Sequence, residues 1–279
     1  MPVQLQTVFC RSFYLQKIFF TGMNRRVDLK NAEFTVNIEI FNKKLFYSFE
    51  KNSGPGGLPV GTSAKVVTML SSGIDSPVAA YRIMSRGCKN IFVHFHSFPF
   101  TEKTSHYNAI ALARHLTQYQ YQSKIYSVPL AEIQKAIILA APTKLRVILY
   151  RRMMFRIAEQ IARREKAKAL VTGESLAQVA SQTIENITAI SEVVTYPVLR
   201  PLIGMDKEEI VKTAQKIGTF EMSIEPYDDC CSYLVPPNPE TKAKLYQVHA
   251  AEQKIENWEQ LLKDAIYNSE FETLRFPES

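Results

Sequence analysis

The stretch VVTMLSSGIDSPVAAYRIMSRG, residues 66–87, decides the fold of this chain. A short apolar strand runs into a turn of small residues, and Pro77 then opens a helical pattern that Gly87 closes. Ser76 directly precedes Pro77, so we predict that its hydroxyl caps the helix N-terminus. The stretch therefore predicts a strand, a tight turn and a helix in direct succession.

Beyond this unit, short apolar runs alternate with helical patterns. Near-continuous apolar strands separated by helices indicate a parallel sheet that is covered on both faces. We therefore predict an α/β fold, an open doubly wound parallel sheet whose ligands lie at the carboxyl ends of its strands. The predicted strands are residues 65–70, 90–95, 124–128, 168–172 and 193–198.

Composition along the chain divides it into three segments. Residues 34–49 alternate apolar and polar positions around a short polar break, which predicts a β-hairpin. Residues 53–61 hold so much Gly and Pro that neither helix nor strand is expected, whereas residues 240–265 have helical periodicity. We predict a first domain with its linker over residues 1–60, the α/β domain over 61–235 and a helical C-terminal extension over 236–279.

The overall composition is that of a globular protein. With 46% hydrophobic residues among 279, the chain can bury a proper core, and its net charge of +7 suits an anionic partner without demanding one. Four scattered cysteines without C-x-x-C spacing favour a reducing compartment, and we expect the cytoplasm. No apolar run is long enough to cross a bilayer, so we expect no membrane partner. Residues 1–27, basic and without an acid, suggest either a transit peptide or a truncated or mis-assigned start.

The turn at residues 71–76 offers the groups that bind phosphate. Backbone N–H groups around Gly73, the hydroxyls of Ser71 and Ser76 and a helix N-terminus together favour a phosphate or pyrophosphate. A Ser- and Gly-rich turn before a helix is as often only a cap. Asp75 favours the phosphate interpretation, because a carboxylate inside an anion-binding loop is explained economically if it holds Mg²⁺.

A pair of glycines upstream of the first strand suggests a Walker A motif, but the surrounding residues do not match that motif. Gly56 and Gly61 have the required spacing, but Thr62 stands where the motif needs a lysine. The pair also precedes a strand instead of a helix, so we reject a P-loop NTPase.

The loop SSGIDS resembles the Ser-Gly-Gly-x-Asp-Ser signature of the PP-loop ATP pyrophosphatases, which split ATP between its α and β phosphates. Further collinear motifs resemble the tRNA 4-thiouridine synthetase (ThiI) family from about Val27 to the C-terminus. These motifs are GPGGLPVGTS, VHFHSFPFT, YRRMMFRIAE, LVTGESLAQVASQT and YDDCC. The resemblance implies ATP-dependent adenylation of the C4 oxygen of a tRNA uridine, followed by its replacement with sulfur.

The same resemblance implies that ATP is held at the strand ends. His94 and Phe95 end the second strand, where an adenine edge is commonly recognised, although taken alone they are more typical of core packing. Arg151 is implied to contact phosphate, and the alternative for Arg151 and Arg152 is a solvated helix face. Arg152 and Arg156, one turn apart, suggest part of a basic stripe facing RNA. Together with the loop residues, the set assigned to nucleotide binding is Met69, Leu70, Ser71, Gly73, Ser76, His94, Phe95, Arg151, Gly173 and Gln182.

Cys230 of YDDCC aligns with the family cysteine that takes up persulfide sulfur, although two inert buried cysteines are the alternative. Lys207 matches a family lysine that could steady the adenylate or the tRNA backbone, and its alternative is a solvated helix start. We assign Asp75, Cys230 and Lys207 as catalytic. Cys231, Cys88 or an external thiol would have to resolve the resulting disulfide.

The implied partners are tRNA, a cysteine desulfurase as sulfur donor and, as a further option, a sulfur-carrier protein. The family also suggests a homodimer, and some members pass sulfur toward the thiazole of thiamine.

Two features depart from the family pattern. Ser72 stands where the family usually has Gly, and it would strain the loop if the position requires a positive φ. The region before Gly54 resembles only the end of a THUMP domain, so we expect weaker tRNA binding. We also expect no rhodanese domain after the α/β domain, which is why the resolving thiol must come from elsewhere. The alternatives are another PP-loop tRNA thiolase, an amide-forming synthetase, or a catalytically impaired nucleotide- or RNA-binding remnant.

Overall fold

The computed structural model describes residues 3–7, 34–225 and 238–277. Cys230 and Cys231 lie outside the described residues. The chain divides into two compact units, Met1–Gly56 and Gly57–Ser279.

The first unit contains a three-stranded sheet. Strand β1 (Val3–Thr7) pairs in parallel with β2 (Phe34–Phe41), which pairs antiparallel with β3 (Lys44–Ser48). Asn42 and Lys43, between β2 and β3, both adopt positive φ, as a two-residue hairpin turn requires. The predicted hairpin is therefore confirmed.

The second unit is built on a six-stranded sheet in the order β8-β7-β4-β5-β6-β9. The pairs from β8 to β6 are parallel, and β9 runs antiparallel along the outer side of β6. The strands are β4 (Lys65–Met69), β5 (Lys89–His96), β6 (Gln122–Pro129), β7 (Leu170–Val171), β8 (Val198–Leu199) and β9 (Glu270–Arg275). Because the chain winds from β4 toward β6 on one side and places β7 and β8 on the other, the strand order reverses beside β4.

Helices cover both faces of this sheet. They are α1 (Asp75–Met84), α2 (Thr104–Thr117), α3 (Ala131–Ala140), α4 (Arg146–Arg164), α5 (Ile184–Ser191), α6 (Lys207–Lys216), α7 (Phe220–Ser223), α8 (Leu245–Glu252) and α9 (Trp258–Tyr267). Short 3₁₀ turns at Thr143–Leu145 and Ala180–Gln182 precede α4 and α5.

Neighbouring residues of β4 show why the strands are apolar throughout. Val67 packs into the cluster formed with α3, α4, α5, α8 and α9, whereas Val66 packs into the cluster formed with α1, α2 and α6. Since side chains alternate across a strand, both faces of β4 must be apolar. The predicted doubly wound α/β fold is confirmed by this architecture.

One local prediction is wrong, and a second is incomplete because its two helices, α8 and α9, are followed by a strand. Helix α1 begins at Asp75 after Ile74, which makes no side-chain cap bond, so Ser76 is not the N-cap. The segment predicted as a helical extension also contains β9, in which only Leu274 is buried, so its apolar pattern is weak. Among the described residues, no helix combines the length and the apolar character that a bilayer crossing needs.

Candidate functional site: a cavity at the carboxyl ends of the strands

A cavity of about 440 Å³ opens where β4, β5 and β7 end. This is the position where an open parallel sheet binds ligands, and the volume is in the range of small-molecule sites. Nine of the residues assigned to nucleotide binding line it, namely Met69, Leu70, Ser71, Ser76, His94, Phe95, Arg151, Gly173 and Gln182. Asp75 lines it as well.

The loop after β4 is held together by two serine side chains. The Ser71 amide donates to Oγ of Ser76 over 2.9 Å, the two hydroxyl oxygens lie 3.0 Å apart, and the Ser76 hydroxyl donates to the Ser71 carbonyl over 3.1 Å. The Gly73 amide points to Oγ of Ser71 at 3.4 Å. These bonds shape the loop, and the N–H groups in the first turn of α1 have no partner within the helix. The first turn is therefore a ready-made anion site.

Asp75 and Lys207, both predicted to be catalytic, form an ion pair. Nζ of Lys207 lies 2.6 Å from Oδ1 of Asp75, and the Gln178 side chain donates to Oδ2 over 2.9 Å. Lys207 is the first residue of α6, which Asp206 and Glu209 fix with a capping box. The carboxylate of Asp75 is thus oriented by Gln178 from the loop after β7 and by Lys207 from the start of α6.

Behind the loop, Glu174 lies buried between two arginines. Its carboxylate is 2.6 Å from Nη2 of Arg151 and 2.6 Å from Nε of Arg200, and it accepts from the Thr172 hydroxyl. Burial would raise the pKa of Glu174, but the charges of Arg151 and Arg200 and these hydrogen bonds outweigh it and lower the pKa. Glu174 is therefore ionised and fixes the Arg151 guanidinium at the cavity wall, where the buried Nε of Arg151 has no partner among the described residues.

His94 is a neutral imidazole with one assigned tautomer. Burial, only partly opposed by the bond to the Leu70 carbonyl, lowers its pKa to about 4. Nδ1 lies 3.0 Å from that carbonyl oxygen, which can only accept, so Nδ1 carries the proton. Nε2 is then an acceptor, and it is buried without a partner in the described part of the chain.

Gly173 is required by packing against α1. A Cβ at this position would lie 2.7 Å from the Ser76 amide nitrogen and 2.8 Å from the Asp75 carbonyl carbon. Gly173 therefore lets the chain after β7 approach the start of α1, which brings Thr172 and Glu174 close to the loop at residues 71–76.

Two of the predicted contacts do not line the cavity as described. Gly73 belongs to the loop but not to the cavity wall, and Lys207 reaches the site only through Asp75. Ser72 is absent from the described non-glycine residues with positive φ, so the strain expected from replacing a glycine there does not arise. Cys230 lies outside the described residues, and its role stays a prediction.

The basic stripe suggested for Arg152 and Arg156 is wrong. Arg152 is 2% exposed and binds Glu252 through Nε and Nη2 over 3.1 and 2.9 Å. Arg156 also pairs with Glu252, over 2.6 Å, and stacks on Trp258. Both arginines attach α8 and α9 to α4 instead of facing solvent.

Sequence reasoning missed several residues of the site. Glu174 and Gln178 lie within the quoted motif LVTGESLAQVASQT, and Glu174 follows directly after β7, where the strand-end rule could have found it. Lys144 and Glu240 also line the cavity and form an ion pair, with Nζ of Lys144 3.3 Å from Oε2 of Glu240. Nothing in the sequence around Glu240 indicates that it reaches this site.

Comparisons with known proteins place this cavity in context. A family model described as thiamine biosynthesis protein (ThiI) matches residues 61–257, a span that contains every residue named at the cavity. A probable tRNA sulfurtransferase of Thermus thermophilus is 49% identical over 251 residues, which are 90% of this chain and 62% of the relative. The chain therefore spans less than two thirds of that relative's length.

One solved structure agrees closely over nearly the whole chain. It is a 4-thiouridine synthetase in complex with RNA and with bound ATP, which matches with a TM-score of 0.86 at 35% sequence identity. The match covers 98% of this chain and 74% of that chain.

Proposed function

The chain belongs to the ThiI family, and from that premise we propose that it is an ATP-dependent tRNA sulfurtransferase that converts a uridine to 4-thiouridine. The observation that supports this most is the convergence of nine residues assigned to nucleotide binding on one cavity at the strand ends. The 4-thiouridine synthetase of similar structure holds both ATP and RNA. A cytoplasmic homodimer is part of the same proposal.

In this proposal the cavity receives ATP with its phosphates toward the loop at residues 71–76. The amides of the loop and of the first turn of α1 bind phosphate oxygens, and Arg151 adds a permanent positive charge. The apolar wall, to which Phe95, Ile148 and Met154 contribute, packs against the adenine ring.

Asp75 is the residue proposed to hold Mg²⁺. Mg²⁺ is commonly bound by one or two carboxylates together with substrate phosphates, so a single oriented carboxylate beside the loop fits it. The bound ion would offset phosphate charge. Lys207, which pairs with Asp75 in this structure, would add a second positive charge beside the phosphates.

The chemistry proceeds in three steps. The C4 oxygen of the uridine attacks the α phosphorus of ATP and pyrophosphate leaves, which makes AMP a leaving group on C4. The terminal sulfur of a persulfide on Cys230, loaded by a cysteine desulfurase, attacks C4 and displaces AMP. A second thiol then attacks the Cys230 sulfur, so that 4-thiouridine leaves and the two thiols become a disulfide.

In the decisive experiment, unmodified tRNA is incubated with ATP, Mg²⁺, a sulfur donor and the protein. Mass spectrometry of the tRNA measures 4-thiouridine, and the pyrophosphate released is measured in the same reactions. We expect 4-thiouridine and pyrophosphate from the wild type, loss of both products in Asp75→Ala, and pyrophosphate without 4-thiouridine in Cys230→Ser. Cys10→Ser serves as the matched control and should retain both products. ATP binding without pyrophosphate release in the wild type would instead identify an impaired remnant.

The description of the family model supports one additional role, the supply of sulfur for thiamine synthesis. Growth of a thiamine-requiring strain that lacks its own ThiI protein tests it. Growth rescued by the wild type and not by Cys230→Ser would support this role, and rescue by neither would remove it.

A further inference from the structure

Asn186, in the first turn of α5, uses its whole carboxamide to join two separate parts of the chain. It is fully buried, and its Nδ2 donates to the Ala180 carbonyl and to the Glu240 carbonyl, each over 2.7 Å. Its Oδ1 accepts from the Ala243 amide over 3.1 Å. Both N–H groups and the carbonyl oxygen of the side chain are therefore engaged.

The groups that Asn186 holds belong to two adjoining segments of the cavity wall, because both carbonyl oxygens bond to the same Nδ2 atom. Ala180 begins the 3₁₀ turn Ala180–Gln182, and all three residues of that turn line the cavity. Pro239 and Glu240 belong to the second wall segment. Asn186 itself is not among the residues at the cavity surface, so it contacts both wall segments from behind.

Neighbouring contacts concentrate on the same junction. The Thr183 hydroxyl, which caps α5, donates to the Thr241 carbonyl over 2.7 Å. The Glu240 amide donates to the Lys144 carbonyl over 3.0 Å. The segment at residues 240–243 is thus fixed by α5 and by the turn before α4, with Asn186 as its most buried anchor.

We propose that Asn186 is a positioning residue that joins the two wall segments of the nucleotide cavity, at residues 180–182 and 239–240, and fixes them relative to each other. It orders the segment of Gln182 and the segment of Glu240 without touching the ligand. This inference rests on the proposed function for the identity of the ligand, whereas the wall geometry itself stands on the described contacts. A buried, fully hydrogen-bonded amide is well suited to such a task, because any misplacement leaves polar groups unpaired.

The substitution Asn186→Asp preserves shape and reverses the hydrogen bonding. A carboxylate oxygen replaces the NH₂ group that faces the Ala180 and Glu240 carbonyls, so two attractive contacts become repulsive. Asn90 provides the matched control. It is also fully buried and donates through Nδ2 to the Ala80 carbonyl, but it lies at the start of β5, at the other end of the strand from the cavity.

Two measurements on the purified chain test the proposal: calorimetric titration with ATP and Mg²⁺, and hydrogen exchange read by mass spectrometry. We expect Asn186→Asp to weaken ATP binding by about tenfold or more and to speed exchange at residues 180–182 and 240–243. Asn90→Asp should lose comparable thermal stability while its ATP affinity stays within about twofold of the wild type.

Equal ATP affinities in Asn186→Asp and the wild type, or unchanged exchange at both wall segments, would overturn the inference. If Asn186→Asp does not fold, Thr183→Ala replaces it and should weaken ATP binding several-fold, with Thr183→Ser restoring it. A wild type that binds no ATP would refute the proposed function, and the exchange comparison would still decide whether Asn186 holds the wall segments.

Discussion

Two groups of charged residues in this molecule have the same composition and different surroundings. In the cavity group, Glu174 lies between Arg151 and Arg200, whereas in the interior group Glu252 lies between Arg152 and Arg156. Arg151 and Arg152 are neighbours on α4, so one helical step of about 100° separates a cavity-lining arginine from a structural one.

The difference lies in how completely each arginine is used. Arg152 has a side chain 3% exposed and binds Glu252, Glu192 and the Ala189 carbonyl. Arg151 is 18% exposed, and its Nε has no partner among the described residues. A buried guanidinium with a partner on every nitrogen stabilises the fold, while a more exposed one at a cavity wall can still bind a ligand.

Removing Arg152 should have the largest effect on stability. The substitution Arg152→Ala leaves Glu252 with Arg156 alone and empties a buried position, so we expect a loss of about 3–5 kcal/mol in the free energy of unfolding. Urea denaturation at neutral pH measures it. ATP affinity of the folded protein should change less than about twofold, and a large loss of affinity would erase the distinction between the two groups.

The ion pairs of Glu252 with Arg152 and Arg156 should be lost on acidification over a defined pH range. Burial raises the pKa of Glu252, but Arg156 and Arg152 outweigh it and lower the pKa from 4.5 to about 2. Because the folded pKa is depressed, this stabilisation is complete above about pH 5 and is lost as the pH falls toward 2. The full range corresponds to a contribution on the order of 3 kcal/mol.

The check is denaturation of the wild type and of Glu252→Gln between pH 7 and pH 3. The difference in unfolding free energy should be widest at neutral pH and should narrow steadily below pH 5. A difference that stays constant with pH would mean that the charge of Glu252 contributes nothing.

Removing Arg151 should weaken ATP binding more than it lowers stability, the reverse of the effect predicted for Arg152. Since Glu174 keeps Arg200 and the Thr172 hydroxyl, Arg151→Ala should cost less stability than Arg152→Ala. ATP should bind about 10- to 100-fold more weakly, the loss expected for one charge-assisted contact to phosphate. Calorimetric titration measures it, and an unchanged affinity would place Arg151 in the same structural class as its neighbour.

The sequence predicted the strand, loop and helix at residues 66–87 because each step depends on local chemistry. The same holds for the parallel sheet, whose strands are apolar on both faces, whereas the nucleotide-binding residues at the strand ends were assigned from the family resemblance. The predicted Ser76 cap was wrong because the Ser76 hydroxyl binds Ser71 across the loop, a contact that local propensity does not contain.

The roles of the arginines and of Asn186 could not be predicted for a different reason. Arg152 is buried because it pairs with Glu252, which lies on a helix 100 positions later in the chain. Asn186 can join two wall segments because it bonds Glu240 and Ala243, which follow residues 226–237 in the chain. Such long-range partners leave no periodicity or spacing in the sequence around either residue.

The smallest change in stability should come from substituting Ser72, which lies in the loop at residues 71–76 and outside both charged groups. Ser72 is fully buried, has an ordinary backbone conformation, and its hydroxyl has no partner among the described residues. Replacing it by alanine removes a polar group that makes no bond there, so Ser72→Ala should change the unfolding free energy by less than about 0.5 kcal/mol or raise it slightly. Urea denaturation measures this change.

The matched variant is Ser76→Ala, which removes the hydroxyl that closes the same loop through three contacts with Ser71. ATP affinity should fall by roughly tenfold in Ser76→Ala and stay within about twofold in Ser72→Ala. A strong loss of affinity in Ser72→Ala would show that its hydroxyl binds the nucleotide. The phosphate site would then have to be extended to include a residue that the cavity walls do not contain.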